Sequence, residues 1–78
     1  METTNRAPFW YEELALALHK VRNAGDRDYL YHFRDRAKGF IHALYAADVI
    51  NETQYHLLNA VCLNAQTYAQ KDLSRASI

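Results

Sequence analysis

Residues 50–55 read Ile50-Asn51-Glu52-Thr53-Gln54-Tyr55, and this hexapeptide decides the fold. The Asn51 side chain is placed to accept from the amide of Gln54, while the Gln54 side chain reaches back to the amide of Asn51. Ile50 and Tyr55 flank the pair as a hydrophobic staple. A reciprocal box of this kind marks the first turn of a helix, so the chain just before it has to be a connection. Beyond it Leu58, Val61, Cys62, Ala65, Tyr68 and Ala69 return at steps of three and four, a helical stripe that lasts to about Lys71. Residues 73–78 have no periodic support and are expected to fray.

Upstream of the box the same periodicity predicts a long second helix over 27–47. Its stripe is Leu30, Phe33, Ala37, Phe40, Ile41 and Leu44, and Asp26 or Asp28 can cap its start. Gly39 interrupts it at a cost of about 1 kcal/mol against alanine, so a packing reason for this glycine is expected. A first helix over 8–23 follows from Pro8 at its opening turn and from Trp10, Leu14, Ala17, Leu18 and Val21 on one face. Glu12 and Glu13 sit early and Lys20 and Arg22 late, which suits the macrodipole, and Asn23-Ala24-Gly25 supplies the stop. Residues 1–7 are polar and are expected to be disordered.

The sum is an all-α fold: a small three-helix bundle over residues 8–72, built on a long helix 2–helix 3 hairpin with helix 1 laid across it. The chain has 78 residues, 50% of them hydrophobic and 13% aromatic, which is one domain and too apolar for intrinsic disorder. Two glycines and one proline are too few to punctuate a many-stranded β fold. One cysteine cannot staple the chain, so a reducing, cytoplasmic setting is expected. No apolar run has the length of a membrane span, and METTNRAP lacks the apolar core of a signal peptide. A core this small is marginal alone, and a homodimer would add burial.

Nine Lys and Arg balance nine Asp and Glu. A nucleic-acid domain ordinarily shows a basic excess, because its affinity comes from neutralising phosphates. An acidic mimic would need the reverse, and neither is present. Zero net charge also removes long-range repulsion between two copies.

At 100° per residue, helix 2 shows two further surfaces. Arg27, Tyr31, Arg34, Lys38 and Tyr45 form a strip of cations and tyrosines with His42 at its edge. Arg and Tyr are the residues that dominate interface hot spots, so the strip is the expected partner-binding surface. Stacking on nucleic-acid bases is a second use of the same composition, and a solvated face is a third. Gly39, Ala43 and Ala46 lie away from the core with Asp28, His32 and Asp35. Small residues at this spacing allow close approach of another helix, so they mark a helix-packing or dimer face; equally, they suit an exposed face where alanine favours helix. Six tyrosines are too many for one small core, so several belong at its edges or at a partner surface. Leu63 falls off the helix 3 stripe beside His56 and Ala60, where it joins an apolar patch or stands as an ordinary exposed leucine.

Catalytic chemistry is not expected. His19, His32, His42 and His56 include no i,i+4 pair, and Asp28, His32 and Asp35 would hold a divalent ion weakly at best. Cys62 sits in the apolar stripe and reads as a small buried hydrophobe. There is no glycine-rich phosphate loop, and no catalytic, cofactor or metal residue is assigned. The expected function is therefore a non-enzymatic interaction module, an adaptor, inhibitor or regulator that docks a helix face on a partner protein. A helix-turn-helix regulator is the alternative, although Gln54 is the one base-reading side chain near the start of helix 3. A structural or assembly subunit is the third. In size and helical-hairpin character the chain resembles accessory proteins of phages and plasmids, a resemblance that implies stoichiometric inhibition of host machinery.

Overall fold

The computed structural model describes residues 8–76, which form α1 (Phe9–Arg22), α2 (Arg27–Ala46) and α3 (Glu52–Ala76). Residues 1–7, expected to be disordered, and residues 77 and 78 lie outside the described part. The described residues contain no strand, and no helix among them is long and apolar enough to cross a membrane.

Each helix boundary has a local cause. The α2 start is capped by Asp26, not Asp28: its Oδ1 accepts from the amide of Tyr29 at 2.9 Å. At α3 the predicted box is formed in both directions, with Gln54 N donating to Asn51 Oδ1 at 2.8 Å and Asn51 N to Gln54 Oε1 at 2.8 Å. At the end of α1 the stop comes from Asn23, whose amide and Nδ2 both donate to the His19 carbonyl, at 3.0 and 2.9 Å. Gly25, the last residue of the expected Asn23-Ala24-Gly25 stop, does not have a positive φ.

The α2–α3 connection holds a feature that the sequence did not disclose. Asp48 has φ 61°, in the left-handed region usually left to glycine. With it, Asp48 N donates to the Tyr45 carbonyl at 3.1 Å and Val49 N to the Leu44 carbonyl at 2.9 Å. That pair is a Schellman ending, which satisfies carbonyls left over by the last turn of α2. Two residues later the Asn51 box opens α3.

The three helices all touch, and the chain runs up, down and up. Tyr45 stacks on Tyr55 at the turn, and at the other end Gln70 Nε2 reaches the Tyr31 hydroxyl at 3.5 Å, so α2 and α3 are antiparallel. Helix α1 runs alongside α3 in the same direction instead of across the pair. Trp10 and Leu14 stand near Leu58 and Val61, and Arg22 Nη1 meets Asp72 Oδ2 at 2.6 Å. This ion pair is half-exposed and contributes at most about 1 kcal/mol, so it orients the helices more than it holds them.

The core consists of Leu14 and Val21 from α1, Leu30, Ala37, Ile41 and Leu44 from α2, Ile50 from the turn, and Cys62 and Ala69 from α3. The stripe predicted for α3 is thus divided. Cys62 and Ala69 are buried, Leu58 and Ala65 half-buried, and Val61 and Tyr68 exposed. The arc of α3 that faces both neighbours is narrow, and α1, at 14 residues, is too short to cover a 25-residue helix. Residues 73–76, expected to fray, continue α3, where half-buried Leu73 packs on the core cluster.

Because Asp48 bears the left-handed turn, its substitutions should separate by backbone preference. Asp48→Gly is expected to match or exceed the wild-type urea midpoint, whereas Asp48→Val should lose about 1–2 kcal/mol, since a β-branched residue resists this conformation.

Candidate interaction groove

The strip of Arg27, Tyr31, Arg34, Lys38 and Tyr45 is not a free face of α2. It lies along the edge that meets α3, and intramolecular contacts occupy part of it. The Arg34 guanidinium sits 4.9 Å from the centre of the Tyr31 ring, and its Nε and Nη2 donate to Asp35 Oδ1 at 3.0 and 2.8 Å. Tyr45 and Tyr55 stack with centroids 4.4 Å apart and planes 22° from parallel. Tyr31 and Tyr45 nevertheless stay 38% and 37% exposed, so each ring has one face on its neighbour and part of its surface in water. Arg27, at the first turn of α2, is exposed.

Between these two aromatic contacts the α2–α3 seam opens into a groove of about 530 Å³. Lys38 and His42 line it from α2; Tyr55, Asn59, Leu63 and Gln66 line it from α3, with Cys62 among its walls. No acidic residue is among those lining it. Its chemistry is cationic on the α2 side, amide-rich on the α3 side, and apolar at Leu63, which is 60% exposed. Such a surface sets a cation, carboxamides and an apolar side chain side by side.

Sequence reasoning identified the α2 half of this groove and missed most of the α3 half. Asn59, Gln66 and Gln70 look like ordinary surface residues until α2 is folded back on α3. The available signal was the turn. Once residues 47–51 reverse the chain, Tyr45 must face Tyr55 and Lys38 must face Cys62.

The second surface lies open to water in the single chain. Gly39, Ala43 and Ala46 are all exposed, and a Cβ placed on Gly39 would meet nothing within 4 Å. Among the described residues no packing reason for Gly39 is found, since neither α1 nor α3 reaches the space that a Cβ would take. Asp28 and His32 share the same exposed side, and Asp35 is engaged with Arg34. Among the described residues, no three His, Cys, Asp or Glu side chains converge as metal ligands would.

Cys62 is 1% exposed. Burial pushes its thiol above the ordinary value, because a thiolate there would lose its hydration; Lys38 and then Arg34 pull in the opposite direction without cancelling it. The cations of the strip thus act electrostatically on the groove wall. Comparison of the chain with family models, with curated proteins and with solved structures finds no match.

Two expectations follow. Gly39→Ala should raise stability by about 0.5–1 kcal/mol in urea unfolding, since it lowers the entropy of the unfolded chain and meets no neighbour. Cys62 should react slowly with a thiol reagent in the native protein and quickly in denaturant. Its raised value in the folded state means that its contribution to stability is complete below the pH at which a free thiol ionises. That contribution is lost as pH climbs from about 8.5–9 through the folded value. Cys62→Ala should flatten this part of the stability profile.

Proposed function

We propose that this protein is a non-enzymatic interaction module, an adaptor, inhibitor or regulator whose α2–α3 edge docks on a partner protein. One observation carries the proposal. The Arg34-on-Tyr31 stack and the Tyr45–Tyr55 stack frame an open groove, and rings held by intramolecular contacts lose little further entropy when a partner covers them. Preorganised aromatic and arginine side chains around a pocket are the usual makings of a binding hot spot. Action in the cytoplasm, as a stoichiometric inhibitor of the kind phages and plasmids encode, fits the same picture.

The helix-turn-helix alternative is less well supported. In that motif the second helix crosses the first steeply and leaves its N-terminal residues free for a DNA groove. Here α2 and α3 lie antiparallel in contact from Tyr45 to Tyr31, and the side-chain oxygen of Gln54 is committed to the capping box. Balanced charge points the same way.

The test is affinity capture from the native host with the wild-type chain and with the double variant Tyr31→Ala/Arg34→Ala as baits. A partner held by the wild type should bind the variant at least about thirtyfold more weakly, the effect of losing one hot spot of about 2 kcal/mol. Far-UV circular dichroism should stay unchanged, because both side chains lie outside the core. Recovery of the same partners at equal strength would show that this edge is not the docking surface.

A further inference from the structure

Helix α3 has a second open flank, on its α1 side. A groove of about 220 Å³ runs there between Trp10, Tyr11 and Leu18 of α1 and Leu58 and Val61 of α3. None of the residues lining it carries a formal charge. The other two interhelical grooves differ: one holds Lys38 and His42, the other Glu13, Lys20 and Arg36. The rim of the uncharged groove is open to water. Tyr11 is 56% exposed and Val61 41%, and Leu57, one turn before Val61 on the same side of α3, is 61% exposed.

We propose that two copies of this chain associate through their α1–α3 grooves about a two-fold axis. A two-fold contact sets a surface against itself, so every charge on it would meet its own copy. A surface with none can be paired in this way without opposing like charges or burying unpaired ones. A partner recognised by charge would instead need complementary charges in the groove. Balanced charge over the whole chain adds no long-range repulsion. The exposed parts of Tyr11, Leu57 and Val61, with the half-buried residues between them, offer about 400–500 Å² per copy, or about 800–1,000 Å² for the pair. That is the size of a weak, reversible interface. The proposal does not depend on the function assigned to the α2–α3 edge. Pairing on one flank of α3 leaves the other open, so a dimer would present that edge twice.

Sedimentation velocity of the full 78-residue chain at about 1 µM and about 100 µM tests the proposal. The wild type should move from one chain mass toward two across this range. Leu57→Glu should weaken association at least about tenfold, because each interface would then bury a carboxylate with no partner. At 61% exposure, that glutamate still reaches water in the monomer, and circular dichroism should show unchanged helicity. Val61→Glu should act in the same direction, and if it fails to fold the Leu57 variant alone decides. Ala43→Glu, on the far side of α2, should leave association as it is. A wild type that remains one chain mass at about 100 µM would overturn the proposal. So would a Leu57→Glu protein that pairs like the wild type, or dissociation by Ala43→Glu.

Discussion

Between Leu44 and Gln54 the chain ends one helix, reverses and begins another, and every backbone group left over by the two helix ends needs a partner. The Leu44 and Tyr45 carbonyls are met by the amides of Val49 and Asp48, and the Asn51 and Gln54 amides by each other's side chains. The reversal is therefore specified by hydrogen bonds on both sides and is not a slack loop. Ile50, caught between them, is buried in the core. This turn sets the register of α2 against α3, and the register determines which residues form the groove. A shift of one residue would separate Tyr45 from Tyr55 and take Lys38 from Cys62.

The character of α3 follows from what it buries. Its two fully buried residues are Cys62 and Ala69, both small, so it contributes a narrow strip to the core while α2 contributes Leu30, Ala37, Ile41 and Leu44. A narrow buried strip leaves broad flanks. Larger side chains such as Leu63, Val61 and Leu57 consequently fall outside the core, on one side or the other, and each interhelical seam beside α3 opens into a groove. One groove is cationic and rich in amides; the other is apolar and without charge. Two surfaces so different in chemistry fit two different kinds of contact, and they lie on opposite flanks of the same helix.

With nine buried side chains among the described residues, none of them polar, the bundle has limited stability to draw on. The ion pair of Arg22 with Asp72 and the Arg22 guanidinium over Tyr68 join the end of α1 to α3 at the surface, where water screens them. Additional burial by a partner or a second copy would strengthen the fold by mass action, so binding and folding are linked in a chain of this size.

Local order was legible in the sequence because its causes are local. A capping box spans four residues and a helical stripe repeats within seven, so the three helices, the α3 start at Asn51, an α2 start at Asp26 or Asp28 and the buried face of α2 could all be read without knowing what lies opposite. The Arg and Tyr strip was visible for the same reason. Its setting was not. Whether Tyr31 and Tyr45 face water or α3, whether Gly39 meets another backbone, and whether Val61 is core or surface depend on where a neighbouring helix stands. That position follows from the left-handed backbone of Asp48, which no helical periodicity encodes, and from how far α1 reaches along a longer α3. Propensity and pattern act along the chain, whereas exposure is settled between chain segments, and only the packed bundle could decide it.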